Sequence, residues 1–173
     1  CRIRFSWCRD TARKAVAHDY RQTAWVGNVV LPDAARGVAF ERFTRQGPLA
    51  LLPLPMGDGG ERRAALVWCV HADDDPVAAL SDDQRRLVID SLLPAAAGRV
   101  AHIGPLKHFA LGLNAERTLV DGAVVRIGNA AQTLHPVAGQ GLNLGLRDVD
   151  ALVQALRRHS DVDAALRHTE WQR

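Results

Sequence analysis

Residues 128–143 combine glycines, a proline and polar side chains in a spacing that suits a cofactor-binding loop. The run before them, residues 123–127, is β-branched, has the length of a strand and ends at Gly128. Pro136, Gly139 and Gly141 oppose regular structure, and a glycine without a Cβ lets the backbone approach a ligand closely. The pattern predicts a strand, a loop and a helix start whose backbone groups form a binding surface.

An amphipathic helix is predicted directly after this loop. Apolar residues recur there at steps of three and four, with mostly polar residues between them; they are Leu142, Leu146, Val149, Val153 and Leu156. The first N–H groups of a helix have no intrahelical partner, and the helix dipole places about half a positive charge at that end. Residues 139–143 therefore favour negative charge. The competing interpretation is an ordinary tight turn between a buried strand and a covering helix, which is the commoner explanation of a bare Gly-x-Gly.

The stretch Gly-Asn-Ala-Ala-Gln-Thr-Leu-His-Pro-Val-Ala-Gly-Gln-Gly-Leu-Asn-Leu-Gly-Leu-Arg-Asp-Val, residues 128–149, resembles the second flavin fingerprint of the aromatic-ring flavoprotein hydroxylases. Residues 129–132 read Asn-Ala-Ala-Gln where that family commonly has Asp-Ala-Ala-His. This variant resembles one branch, the ubiquinone-biosynthesis 2-polyprenyl-6-methoxyphenol hydroxylases. Residues 37–54 and 66–69 are similar to the substrate-domain strands of the same enzymes.

The resemblance implies an FAD site in this stretch. It places Asn129 toward the ribityl chain, where an Asn keeps an acceptor oxygen but loses the charge of the usual Asp. It places Pro136 beside the flavin ring, and the other residues that it implies for cofactor binding are Gly128, Ala130, Gly139, Gln140, Gly141, Leu142 and Asn143. NAD(P)H is the implied reductant and a small prenylated aromatic compound the implied substrate, with the cofactor carrying the chemistry. No catalytic side chain follows from the resemblance.

The predicted fold is α+β or α/β, with a mixed, largely antiparallel substrate-domain sheet, covering helices and the strand, loop and helix of the flavin motif. Strands are predicted over residues 25–31, 49–52 and 64–70, with further strand structure in 102–113. Asp121-Gly122 is a two-residue turn signal. We divide the chain into an irregular basic terminus (1–15), a substrate-domain sheet and helix (16–120) and the FAD-motif strand, loop and helices (121–173).

Two helices carry capping signals. Ser81 and Gln84 form a capping box before a helix whose apolar face contains Leu87, Val88 and Leu92. Ser160 is predicted to cap a last helix that runs through residues 161–173.

A Gly-x-Gly-x-x-Gly motif after an N-terminal strand is missing from the sequence, and with it the βαβ unit that binds the ADP half of FAD. We therefore expect an incomplete p-hydroxybenzoate hydroxylase-like fold, as a fragment or naturally truncated product that is inactive alone. Two alternatives stay open. The chain is a non-catalytic remnant that binds no FAD by itself, or it comes from a hydroxylase of another aromatic substrate.

Charge, cysteine content and hydropathy argue against nucleic-acid binding, a metal site and a membrane-spanning helix. The 22 basic and 19 acidic residues are scattered, so their net charge of +3 does not indicate nucleic-acid binding. Cys1, Cys8 and Cys69 have no Cys-x-x-Cys spacing, which favours a reducing cytoplasm and no metal site. No apolar run reaches the roughly 18 residues of a membrane helix. Peripheral contact with the inner membrane, or with a ubiquinone-biosynthesis complex, stays open.

Histidines and aromatic residues supply the remaining candidates. His135 lies inside the loop and would suit acid–base chemistry, but a hydrogen-bonded loop histidine is the favoured interpretation. His71 beside Asp73, Asp74 and Asp75, and the pair His102 and His108, lack the spacing of metal ligands.

A candidate substrate pocket consists of Phe40, Phe43, Leu52 and Pro53. Ordinary core packing explains the same four residues equally well.

Overall fold

The computed structural model describes residues 15–136 and 139–172. The strands are β1 (Val16–Val30), β2 (Phe40–Phe43), β3 (Pro48–Pro53), β4 (Arg63–His71), β5 (His102–Ile103), β6 (Lys107–Ala115), β7 (Val120–Asp121), β8 (Val124–Val125) and β9 (Gln132–Thr133). The helices are α1 (Asp82–Leu92), α2 (Gln140–Arg158) and α3 (Val162–Trp171), with 3₁₀ turns at Ala95–Ala97 and Gly128–Ala130. The predicted basic terminus lies, except for Ala15, outside the described residues.

Two compact units divide the chain. The sheet unit comprises residues 21–111, and the helix unit comprises residues 15–20, 112–136 and 139–172. Hydrogen-bonded strands follow the order β2-β3-β4-β1-β6-β9, and β5 also pairs with β1. The pairs β2–β3, β3–β4 and β4–β1 are antiparallel, which confirms the prediction of a largely antiparallel sheet with helices.

The core of the sheet unit lies on one face of its strands. Trp25 pairs with Trp68, and Trp68 pairs with Leu49 on the next strand. Because side chains alternate along a strand, these rows place a continuous apolar surface on one side. The fully buried side chains of this core include Val29, Leu49, Leu51, Leu66, Val70 and Ile89. Since Ile89 belongs to α1, this helix covers the face.

Helix α1 begins with the predicted capping box. The Ser81 hydroxyl accepts the Gln84 N–H at 3.3 Å, and the Gln84 side chain accepts the Ser81 N–H at 2.9 Å. The prediction that Leu87 lies on the apolar face is wrong, because this side chain is 70% exposed. The inward face of α1 instead contains Ile89 and Arg85. The Arg85 guanidinium lies 5.4 Å from the centroid of the Trp25 ring, and its Nη2 donates to the Val77 carbonyl. An arginine stem can cover apolar surface, which a count of apolar residues misses.

A short hairpin opens the flavin-motif part of the helix unit. Val120 pairs with Val125 and Asp121 with Val124, so the loop residues are Gly122 and Ala123. Gly122 has φ +55°, a conformation that glycine adopts without a Cβ clash. The predicted turn at Asp121-Gly122 is therefore displaced by one residue. The strand predicted over residues 123–127 consists only of β8.

Helices α2 and α3 pack through small buried residues that include Ala155 and Ala165. The prediction that Ser160 caps α3 is wrong: the Asp161 carboxylate accepts the N–H groups of Ala164 at 3.0 Å and Asp163 at 3.4 Å. Near the other end of α3, Glu170 accepts the N–H groups of Leu119 at 2.7 Å and Val120 at 3.2 Å. These bonds hold α3 against β7.

The predicted apolar stripe of α2 is exposed. Leu142 is 74% exposed, and Leu146, Val149, Val153 and Leu156 are also open to solvent in the structure as described. The side chains of this helix that are buried are Asp148 and Ala155. In the described segments, no helix is both long and apolar enough to cross a membrane.

Replacing Leu66 with Ala in the fully buried core should lower the free energy of unfolding by about 2–5 kcal/mol, because a cavity replaces packed methyl groups. Leu87→Ala is the matched control and should change it by less than about 0.5 kcal/mol, because this side chain is mostly exposed. Urea denaturation of both variants measures the difference. Equal losses would contradict the packing described for α1.

Candidate functional site

The candidate loop begins with a 3₁₀ turn rather than irregular chain. Gly128 has φ +56°, and its carbonyl accepts the Ala131 N–H at 2.9 Å. Two residues later β9 forms, where Gln132 pairs with Ala115 and Thr133 with Asn114. The expectation that the loop lacks regular structure is therefore wrong for residues 128–133, whose backbone groups find local partners. Asn129 and Ala130 lie exposed on this turn.

A buried carboxylate on α2 holds the turn in place. Asp148 is only 2% exposed, and its Oδ2 accepts the Gly128 N–H at 2.8 Å. A Cβ added at Gly145 would lie 3.5 Å from the Gly128 Cα, an ordinary contact distance, so helix and turn lie next to each other at these two glycines. A hydrogen bond to a charged acceptor is worth about 1.5–3 kcal/mol. The sequence predicted both glycines as part of a motif but missed Asp148, whose polar side chain suggested the solvent face.

Helix α2 begins two residues earlier than predicted. Gly139 is the N-cap, with φ +58°, and no side chain caps the first turn, which contains no acidic residue. Gly139, Gln140, Gly141, Leu142 and Asn143 are all exposed. The N–H groups of this turn and the positive end of the helix dipole therefore face solvent, as an anion or electron-rich ring requires.

Pro136 is exposed, and its carbonyl accepts the Gly139 N–H at 3.0 Å. This bond joins the end of the loop to the helix N-cap. Val137 and Ala138, which belong to the segment predicted along the flavin ring, lie outside the described residues.

Three further polar side chains near the turn have buried atoms without a hydrogen-bond partner. They are Glu116 Oε2, Arg126 Nη1 and Gln132 Nε2. Glu116 is close to the turn, because its N–H donates to the Ala131 carbonyl at 2.8 Å, and Arg126 precedes Gly128 by two residues. A buried polar atom without a partner costs about 1–3 kcal/mol. A ligand with hydroxyl and phosphate groups offers such atoms donors and acceptors, so the residues present fit FAD.

Sequence reasoning missed Glu116 and Arg126, which lie outside the fingerprint. Gln132 lies inside it, as part of the Asn-Ala-Ala-Gln variant, but was given no role of its own.

His135 packs against an aromatic ring. The ring centroids of His135 and Tyr20 are 5.1 Å apart at 87°, an edge-to-face contact. Burial lowers the pKa of His135 from its ordinary value of 6.5, because the charged imidazolium is poorly solvated there. Burial therefore favours the neutral ring at pH 7, and the hydrogen-bonded loop histidine stays a prediction.

In the sheet unit, the four residues of the predicted substrate pocket lie on two faces. Phe40 pairs with Leu51 and lies on its face, together with Pro53. Phe43 and Leu52 lie on the opposite face and are exposed. Alternation along a strand makes one pocket from all four impossible. The structure instead has a cavity of about 320 Å³ that includes Phe40 and Pro53, and a second of about 330 Å³.

The acidic run after His71 builds a turn. Asp75 accepts the Trp25 Nε1–H at 2.9 Å and the Val77 N–H at 2.9 Å, and Asp74 accepts from Gln46. His108 lies with its ring centroid 5.1 Å from that of Trp25. Across residues 15–136 and 139–172, no group of three or more His, Cys, Asp or Glu side chains converges in a way that could hold a metal ion.

Comparison with known proteins finds an FAD binding domain and two ubiquinone-related hydroxylases. The FAD binding domain family matches residues 6–165. The chain is 38% identical to the ubiquinone hydroxylase UbiL of Rhodospirillum rubrum, covering 79% of this chain and 31% of the relative. It is 32% identical to the 3-demethoxyubiquinol 3-hydroxylase of Escherichia coli, covering 81% of this chain and 34% of that protein. The chain thus spans about a third of the length of these relatives.

Solved structures share the fold. The 2,6-dihydroxypyridine-3-hydroxylase of Arthrobacter nicotinovorans superposes with a TM-score of 0.61 at 17% identity, covering 89% of this chain and 47% of that chain. A tryptophan 6-halogenase of Streptomyces toxytricini gives a TM-score of 0.61 at 15% identity, covering 88% of this chain and 27% of that chain. At these identities the likeness establishes the fold alone.

Replacing Asp148 with Ala should release the 3₁₀ turn. We expect the free energy of unfolding to fall by about 1–3 kcal/mol, because the variant loses the acceptor of the Gly128 N–H. Hydrogen exchange measured by NMR should show faster exchange of the Gly128 amide. Asp150→Ala, at an exposed position of the same helix, is the control and should leave that amide unchanged. An unaltered Gly128 amide in Asp148→Ala would contradict the role given to this bond.

The pH dependence of His135 follows from its burial. Since its pKa in the folded state is below 6.5, the neutral ring stabilises the fold above that pH, and the stabilisation declines as the pH falls below about 6.5. An NMR titration of the ring should give a midpoint below 6.5, and Tyr20→Ala should raise it. A midpoint at or above 6.5 in the unsubstituted chain would contradict the burial.

Proposed function

This chain belongs to the FAD binding domain family, and we propose that it forms the flavin-ring part of an FAD-dependent monooxygenase. The proposed parent enzyme hydroxylates a polyprenylated phenol in ubiquinone biosynthesis. The observation that carries the proposal is the exposed, uncapped start of α2 next to the turn that Asp148 fixes. The relatives named for ubiquinone and demethoxyubiquinol hydroxylation supply the substrate class.

The proposed cofactor contacts combine backbone and side-chain groups. The N–H groups of Gly139, Gln140, Gly141, Leu142 and Asn143, together with Pro136, would hold the flavin ring. Asn129 would hold the ribityl chain, with Gly128 and Ala130 in the same turn. When bound, FAD supplies the redox chemistry with O₂, and NAD(P)H supplies the electrons. The chain's own residues position the ring and present positive helix-dipole charge to it.

The aromatic substrate needs an apolar wall with a few polar groups for its oxygens. The second cavity of the sheet unit offers both, because Val26 and Phe109 line it together with Asn28 and Lys107. We assign the phenolic ring to this cavity. A prenyl tail partitions into lipid, so the proposal includes a peripheral contact of the parent enzyme with the inner membrane.

A second candidate is a chain that binds no FAD by itself. The exposure of the apolar stripe on α2 favours it, because so much open apolar surface next to the cofactor site indicates a site that needs a further covering partner. The two candidates differ in one measurable property, flavin binding by the isolated chain.

A chimera tests the proposal. The segment of the Rhodospirillum rubrum relative that matches this chain is replaced by residues of this chain, and the purified protein is tested for flavin by visible absorbance and for hydroxylated product by mass spectrometry. We expect flavin and product. Gly141→Trp in the chimera should abolish flavin binding, because a Cβ at Gly141 meets no atom within 4 Å and the indole would fill the ligand's space rather than disturb the fold.

Asp150→Trp is the matched control, because it adds the same indole at another exposed position of α2. It should retain flavin and activity. Flavin retained at normal occupancy in the Gly141→Trp chimera would overturn the proposed site. Flavin in the chimera but not in the isolated chain would select the second candidate for the chain alone.

A further inference from the structure

The sheet unit also contains a cavity whose cationic side chains are all arginines. It measures about 320 Å³, and none of its lining residues is acidic. Its apolar wall includes Phe40, Leu51 and Met56. Arg36, Arg62 and Arg63 supply three positive charges around this wall. A ligand that fits must therefore combine an apolar body with a negative charge.

The three arginines differ in their hydrogen bonds, and Arg36 and Arg63 have N–H groups that can still donate to a ligand. Arg62 Nη1 donates to the Ala34 carbonyl, which fixes its guanidinium at the cavity. Arg63 Nη2 makes only long contacts of 3.3 Å with Pro55 and 3.4 Å with Met56 carbonyls, and its Nε is buried without a hydrogen-bond partner. Arg36 is exposed and makes no ion pair among the described residues.

The two acidic side chains of the neighbouring loop, Asp58 and Glu61, form no ion pair with these arginines among the described residues. The Glu61 carboxylate lies over Gly57, since a Cβ built there would collide with it. The loop is closed by the Gly57 N–H, which donates to the Glu61 carbonyl at 2.9 Å. Within the part of the chain that the structure describes, the three arginines therefore have no ion-pair partner, and a guanidinium fork matches the oxygens of a carboxylate.

We propose that this cavity binds a small amphiphilic carboxylate, with the carboxylate at Arg36 and Arg63 and the apolar chain against Phe40, Leu51 and Met56. The volume lies at the lower end of the roughly 300–1,000 Å³ of ligand pockets, which limits the ligand to one short chain or one ring. None of the residues proposed for FAD lines this cavity, and the test of the cavity does not depend on flavin.

Isothermal titration of the whole chain with decanoate tests the proposal, with decanol and decylamine as neutral and cationic probes of the same chain length. We expect saturable binding of one decanoate and no comparable binding of the other two. Arg36→Glu should weaken decanoate binding about tenfold or more, because a charge-assisted contact becomes a repulsion. Arg42→Glu makes the same charge change on β2 at an exposed residue outside the cavity lining and should leave the affinity unchanged.

Ala35→Trp provides a second variant that keeps the charges and fills the cavity. Ala35 is exposed and lines the cavity, so the fold should persist, as circular dichroism would show, while decanoate binding is lost. Equal binding of decanoate and decanol, or equal weakening by Arg36→Glu and Arg42→Glu, would overturn the proposal. Binding to vesicles of anionic phospholipid without binding of monomeric decanoate would also overturn it, because the arginines would then serve a membrane surface.

Discussion

The hydrogen bond from the Gly128 N–H to the buried carboxylate of Asp148 is the constraint on which the proposed site depends. It joins a turn that follows β8 to the third turn of α2, across 20 residues of sequence. A carboxylate that is 2% exposed is costly to bury unless hydrogen bonds satisfy it. The turn and the helix therefore keep one relative position. This fixes where Asn129 and the first turn of α2 present their groups.

Glycine at position 128 allows the backbone conformation of this turn. Gly128 adopts φ +56°, which residues with a Cβ rarely adopt, whereas a Cβ at the facing Gly145 would meet the Gly128 Cα at an ordinary contact distance of 3.5 Å. On the exposed side, Gly141 leaves open space where a larger side chain would stand. Glycine thus permits the backbone conformation of the turn at position 128 and leaves open space at position 141. Buried polar atoms of Glu116, Arg126 and Gln132 without partners lie in this region and add binding capacity.

The sequence predicted those parts of the structure that local patterns control. The capping box at Ser81 and the position of α2 follow from side-chain spacing, and both are present in the structure. The long first strand was recognised only over its apolar second half, because residues 16–24 are mostly polar and contain no alternation that signals a strand. The sequence predicted a buried Leu87, but the side chain of Arg85 lies over Trp25 instead. An arginine does not count as an apolar residue in a sequence pattern, so this packing could not be predicted. The role of Asp148 needed tertiary structure, since a helical Asp between Arg147 and Val149 looks solvated.

The flavin-contact residues themselves remain a prediction, and the amides at the start of α2 provide its most direct test. A titration of the isotopically labelled chain with FAD, followed by two-dimensional amide NMR, tests this directly. We expect shifts concentrated at Gly128, Asn129 and the amides of residues 139–143, with smaller or no shifts in the sheet unit. Shifts that map to the arginine-lined cavity while the amides of residues 128–129 and 139–143 stay unchanged would contradict it.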